Sequence, residues 1–208
     1  DWKLILIDNN STDGSKEMIK NYQNHEKIEI YFLKKNKGVA FSRNFALRKS
    51  KGEYIAFLDS DDLWEKDKLE KQLRIMQENN YNFTYTDYTP FFFKNDKRFL
   101  KKTIIPKTKY DLNSFIKDTS IATSSMMIKR KSISFNKFNS KSFNEDYDFK
   151  CKILKSSLTA YKVSENLTYY RITPNSRSSF KIKSLFSIFN TNKNLLKLNF
   201  FDNIKSII

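Results

Sequence analysis

The sequence predicts an α/β fold: a Rossmann-like, mainly parallel sheet flanked by helices, followed by a helical C-terminal tail. Three observations carry that prediction. Short apolar runs alternate with segments of helical apolar spacing across the first ninety residues, an order that implies right-handed βαβ crossovers. Two of those runs, "LILIDNN" and "YIAFLDSDD", end in acidic clusters, and ligands in such sheets bind beyond the carboxyl ends of strands. Residues 180–208 then change character, to a basic segment rich in Phe, Leu and Ile.

The elements follow in order. "KLILIDNN" (3–10) is apolar on both faces, as a buried strand is. "STDGS" (11–15) is a turn and 15–25 a short helix. "IEIYFLK" (28–34) is a second strand. Residues 37–50 carry Val39, Phe41, Phe45 and Ala46 at helical spacing. "YIAFLD" (54–59) is a third buried strand. Residues 65–80 place Leu69, Leu73 and Met76 on one helical face, and "FTYTDY" (83–88) alternates as a strand does. From 90 to 140 the pattern weakens; "FFFKNDKRFLKK" fits a hairpin or an ordered loop, and "SSMMIKR" (124–130) a strand. Residues 146–156 form a helix with Phe149, Ile153 and Leu154 on one face, and "LTAYKV" and "LTYYRI" are short β-like runs.

Composition narrows the function classes. The chain has 208 residues, of which 39% are hydrophobic and 15% aromatic, enough for one sizeable core. The net charge of +16 suits an anionic partner such as a nucleotide phosphate, a nucleic acid or an acidic membrane surface; the plainer reading of much of it is the Lys and Asn bias of an AT-rich genome. One cysteine, Cys151, excludes an intrachain disulfide and fits a reducing, cytoplasmic setting. One cysteine and one histidine, His25, cannot build a zinc centre. No apolar run approaches the ~20 residues of a membrane span. Asp1 and Trp2 lead straight into a strand with no initiator Met, as in a fragment of a longer protein.

Asp59 and Asp61 emerge on the same side as the chain leaves its strand. Two carboxylates there suit a hard divalent cation that keeps water or phosphate oxygens as its remaining ligands. The plainer alternative is that Ser60, Asp61 or Asp62 caps the helix that follows. An EF-hand does not fit, because its glycine and closing Glu are out of place.

Four segments, "LILIDNNSTDGS", "NKGVAFSRNFAL", "GEYIAFLDSDDLWEKDKL" and "FNEDYDFKCKIL", together resemble the family-2 inverting glycosyltransferases of GT-A fold, over roughly residues 1–170. The resemblance implies a catalytic domain over 1–170 that lacks the family's first strand and helix, with 171–208 as a basic amphipathic tail. It implies a nucleotide-sugar donor, most often a UDP-sugar, and a saccharide or lipid-linked acceptor. Asp8 and Asn9 would border the base; Asn9 stands where the family has an acid, and its amide still offers both donor and acceptor atoms. Arg43 would lie near the donor diphosphate. Asp59-Ser60-Asp61 matches the family's D-x-D, with Asp61 as main ligand of Mn²⁺ or Mg²⁺, Asp59 near the ribose or metal and Ser60 beside the donor. Asp146 would be the base that deprotonates the acceptor hydroxyl, and Glu145 its support; their alternative is to favour the start of a helix as first-turn acids. Arg171 resembles a position over the donor, as Arg177 does less closely.

The implied product is a bacterial surface glycan such as capsule or lipooligosaccharide. The tail either lies on an anionic membrane, at the inner face, or packs back on the domain or another chain. Two other activities compete: a catalytically silent, truncated relative, and a haloacid-dehalogenase-type phosphatase, which Leu63 disfavours where Thr or Val is usual. Acidic strand ends argue against a nucleic-acid partner.

Overall fold

The computed structural model describes residues 1–133, 136–156, 158–174 and 180–206. β1 (Leu4–Asp8) and β2 (Ile28–Phe32) pair in parallel across α1 (Ser15–Lys20), the crossover that the alternating pattern predicts. α1 stops five residues short of its expected end. Met18 and Tyr22 are exposed, so no buried face extends the helix further. α2 (Val39–Lys49) follows Gly38, whose φ of 81° and ψ of 163° lie where only glycine is at ease.

β1 and β2 form a sheet of their own. The larger sheet contains β3 (Tyr54–Ala56), β4 (Leu63–Trp64), β5 (Phe83–Lys94), β6 (Lys97–Leu100), β7 (Lys109–Tyr110), β8 (Met127–Lys129) and β9 (Ala160–Arg171). Its central path runs β3-β8-β5-β9-β4, with β6 beside β5 and β7 beside β9. The α/β architecture is as expected, but this sheet is mixed rather than mainly parallel. β5 and β9 pair in parallel, and the other described pairings are antiparallel. The reason lies in residues 90–140, where the sequence pattern is weak: they supply β6, β7 and β8, which all return against their neighbours. The hairpin reading of "FFFKNDKRFLKK" is correct, with Lys94 opposite Lys97.

Helices cover the sheet. α3 (Lys68–Glu78) follows β4; α4 (Leu112–Phe115) and α5 (Arg130–Ile133) are single turns; α6 (Glu145–Lys155) precedes β9. The tail forms α7 (Lys181–Thr191), a π-helical turn (Asn192–Leu196) and α8 (Phe200–Lys205). One face of it packs back on the domain, with Ile188, Leu195, Leu196 and Leu198 against the core. Three rings brace the site from below. Phe138 and Phe149 stack at 4.0 Å, and Phe57 meets both edge-on at 5.5 and 5.9 Å. Phe57 lies two residues before Asp59 and Phe149 one turn after Glu145, so this cluster fixes the acidic loop against the start of α6.

Candidate active site

After β3 the chain buries Phe57, exposes Leu58 and enters a tight turn in which the Asp62 N–H donates to the Asp59 carbonyl at 3.0 Å. The buried turn Thr123–Ser125 holds this loop from the other side. The Ser124 hydroxyl accepts the Asp59 N–H at 3.0 Å, and its carbonyl accepts the Trp64 indole N–H at 2.7 Å. Sequence reasoning took residues 124–125 into a strand; the signal available was a run of hydroxyl residues, "TSS", between apolar stretches.

Arg43 is the hub. One guanidinium nitrogen donates to Asp59 at 2.5 Å and the other to Glu145 at 2.9 Å. The fork thereby ties α2, the acidic loop and α6 together, bridging two carboxylates with one nitrogen each, a planar geometry that suits arginine and not lysine. Burial works against the charge on Arg43, yet Asp59, Asp146 and Glu145 outweigh it and hold its pKa above the ordinary value.

Asp146 stands beside Glu145 in the first turn of α6. Its Oδ2 accepts the Lys150 ammonium at 2.9 Å and, at 3.4 Å, the Thr123 hydroxyl. Lys150, 3% exposed at its side chain, also donates to the Ile121 carbonyl at 2.7 Å. Burial would raise the Asp146 pKa; Lys150 first, then Arg43, overcome it and hold the carboxyl well below the usual carboxylate range. Thr123 and Lys150 were not singled out from sequence. Lys150 could have been, as a basic residue one turn after an acid.

The other predicted residues separate. Asp61 and Ser60 are exposed, and Asp61 holds no hydrogen bond or ion pair among the described residues. Asp62 is the buried one, and it does not cap α3, whose N-cap is Asp67. It accepts the Arg171 N–H at 2.8 Å; burial pushes its pKa up to about 6, with the charges of Asp59 and Asp61 adding to the rise. The Arg171 guanidinium lies 4.9 Å from the Phe93 ring. Arg177 lies outside the described residues.

Asp8 accepts the Ser11 N–H at 3.2 Å. Asn9 donates to Asn36 at 2.9 Å and accepts the Lys37 N–H at 2.9 Å. These two residues order the loop that leads into α2 and, among the described residues, make no direct bond to Asp59. The link is α2 itself: Asn9 fixes its entry, and Arg43 lies about 6 Å of helix rise beyond Val39.

No group of three or more acidic, His or Cys residues among the described ones could hold a metal alone. The donor set still fits a hard cation that arrives with its own oxygens. Asp61 presents a solvent-facing carboxylate, and Asp59 keeps one third of its side chain exposed beside it.

Residues 1–135 match the family model described as glycosyl transferase family 2. That span includes Asp8, Arg43 and the 59–62 loop and stops short of Glu145 and Asp146. The chain is 36% identical over 184 residues to a Bacillus subtilis protein named putative teichuronic acid biosynthesis glycosyltransferase TuaG, covering 88% of this chain and 72% of that one. It is 31% identical over 186 residues to the Escherichia coli UDP-Glc:alpha-D-GlcNAc-diphosphoundecaprenol beta-1,3-glucosyltransferase WfgD, covering 88% and 71%. The fold matches Staphylococcus aureus TarS 1-349, solved with UDP-GlcNAc, at a TM-score of 0.71 and 17% identity, over 99% of this chain and 61% of that one. It also matches a Pyrobaculum calidifontis mannosyltransferase, solved with GDP-Man and Mn²⁺, at a TM-score of 0.67 and 14% identity, over 95% and 55%. With the family model spanning most of the chain and relatives aligned along nearly all of it, the chain belongs to glycosyl transferase family 2.

Proposed function

We propose that this chain transfers a sugar from a nucleotide-diphosphate sugar to an acceptor hydroxyl, with inversion, in the synthesis of a bacterial surface glycan. The observation that carries the reading is the Arg43 fork, which joins the acidic strand-end loop to the carboxylates at the start of α6. Relatives named for teichuronic acid and diphosphoundecaprenol-linked glycans support the product class, and neighbours solved with UDP-GlcNAc and GDP-Man support the donor class.

The family resemblance and the geometry support these roles. Asp8 and Asn9, ordered by the loop at the end of β1, face the base; Asn9 offers both amide atoms. Arg43 and Ser60 lie beside the donor diphosphate, and Arg171 stands at the rim. Asp61, with Asp59, would hold Mn²⁺ or Mg²⁺. When bound, that cation supplies positive charge against the leaving diphosphate. The acceptor oxygen forms its bond to the anomeric carbon on the face opposite the nucleotide. The bond from that carbon to the diphosphate breaks, and its electron pair leaves on the phosphate oxygen. The hydroxyl proton passes to Asp146, which Lys150 keeps ionised through the neutral range. Glu145 acts through Arg43, holding the fork in place.

The test is a calorimetric titration of the chain with UDP, with and without Mn²⁺, repeated on Asp61→Asn. The expected outcome is metal-dependent binding that weakens at least about tenfold in the variant, roughly the loss of one charged ligand. Equal UDP affinity in both proteins, whether or not Mn²⁺ is present, would remove Asp61 from the donor site.

A further inference from the structure

We propose that the outer face of α7 is a docking surface for a membrane with anionic headgroups. The helix is built inside out for a water-facing element. Its hydroxyl side points into the protein: Ser187 and Thr191 are 9% and 7% exposed. The Asn144 side chain donates to the Ser184 hydroxyl at 2.7 Å, and the Ser187 hydroxyl accepts the Asn144 N–H at 3.1 Å. The first half of its apolar side points out, while Ile188 packs on the core: Ile182 is 84% exposed, Phe186 68% and Leu185 46%, with Phe180 at 49% just before the helix. Ile182, Leu185 and Phe186 are spaced i, i+3, i+4 and so share one stripe. Isolated apolar residues on a surface need no explanation, but a contiguous stripe opposite a buried polar one does.

Charge selects the occupant. Lys181 and Lys183 are exposed on the same turns as the apolar stripe. No acidic residue occurs from 166 to 201, while Lys193 and Lys197 add further positive charge. An apolar stripe flanked by ammonium groups matches the boundary between acyl chains and anionic headgroups. A second copy of the chain fits less well, because pairing two such stripes would bring the lysines of both copies together. At 11 residues, α7 spans about 16 Å, short of the ~30 Å of a hydrocarbon core, so it lies along the surface. Its inner side bonds Asn144, the N-cap of α6, and Glu145 and Asp146 follow directly. Docking through α7 therefore sets the candidate site at the lipid surface. The proposal itself stands on the helix and needs no catalytic reading.

The experiment is co-sedimentation of the whole chain with vesicles of phosphatidylcholine containing phosphatidylglycerol, against phosphatidylcholine alone. Binding is expected to the anionic vesicles. The double variant Ile182→Ser/Phe186→Ser should lose at least about tenfold in partitioning, and Lys181→Glu/Lys183→Glu roughly thirtyfold or more. All four positions are exposed, and an unchanged thermal melt shows that each variant folds. Vesicle binding that survives loss of Ile182 and Phe186 would overturn the proposal. So would failure to bind vesicles together with self-association, by analytical ultracentrifugation, that the Ser variants abolish; that result would assign the stripe to a second copy.

Discussion

Lys150 sets the charge state of the residue proposed to take the proton. Its ammonium lies 2.9 Å from Asp146 and is almost fully buried, while the Asp146 side chain is 37% exposed, so water screens the pair in part. A carboxyl whose pKa is depressed in the folded state stabilises that state above its unfolded value, near 3.9, and this contribution is lost as pH falls through the folded pKa. Lys150→Met keeps the stem and removes the charge. We expect the Asp146 pKa to rise toward the ordinary range, moving the acid limb of the pH–rate profile upward. Stability at neutral pH should fall by about 1 kcal/mol, less than for a fully buried pair, because 37% of the Asp146 side chain meets water. A pH–rate profile of the variant checks the first expectation and urea unfolding the second; an unmoved acid limb would mean that another group governs it. The acids at 145 and 146 were legible in the sequence because they form a motif, whereas the residue that tunes them was not. Lysine is so frequent in this chain that a single one carries no signal until its burial is seen.

At the scale of the element, α3 shows where periodicity misleads. The apolar spacing points to Leu69, Leu73 and Met76 as the inner face, but the fully buried positions are Lys68, Gln72 and Met76. The leucines are only half-buried. A polar chain replaces the expected apolar stripe: Lys68 donates to Gln72 at 2.7 Å, and Gln72 donates to Thr84 and to the Ser125 carbonyl, each at 3.1 Å. Lys68 also lies 4.2 Å from the Trp64 ring centre. This chain anchors the same Thr123–Ser125 turn that carries the acidic loop. Partners brought in from β5 and that turn satisfy groups that sequence pattern assigns to solvent. β9 is the companion case: "SEN" (164–166) reads as a break between two short strands, yet Glu165 is held by Lys71 at 2.6 Å and the strand runs through.

Burial pushes the Lys68 pKa down to about 7. The folded state therefore loses its proton as pH rises past 7, while the unfolded lysine keeps it to about 10.4. Stability through this group rises with pH over that window, on the order of 2 kcal/mol between pH 7 and 9. Lys68→Met should abolish the rise. Urea unfolding of both proteins at the two pH values checks it. The comparison between them cancels the opposing effect of Cys151, whose buried thiol is held up at about 12.

For the whole molecule, the question is whether the segment after residue 170 is an appendage or part of the folding unit. The sequence left this open because Ile182, Leu185, Phe186, Ile188 and Phe189 share one broad apolar face, which suits the core and an outside surface equally. The structure divides them. Ile188, with Leu195, Leu196 and Leu198 beyond the helix, packs inward, and Ile182 and Phe186 stay out. Asn192, fully buried, locks the arrangement: it accepts the Tyr147 hydroxyl at 2.6 Å and donates to Asn203 at 3.1 Å and Ser206 at 2.9 Å. Tyr147 belongs to α6, two residues after Glu145, so the tail holds the helix on which the proposed base stands. Removing the tail would uncover four partly buried aliphatic side chains, worth about 1 kcal/mol each, and would exchange the Tyr147 and Asn144 hydrogen bonds for water at about 1 kcal/mol apiece. That sum rivals the 5–15 kcal/mol typical of a whole domain. A chain ending at Pro174 should therefore lose its cooperative thermal transition or melt far below the full chain, and Asn192→Ala should fall between the two. Calorimetric melts of the three proteins decide it. A truncated chain that melts with the full-length one would place the tail outside the folding unit. A graded loss would mean that α7, the Asn144 cap and the Asp146 carboxylate stand or fall together.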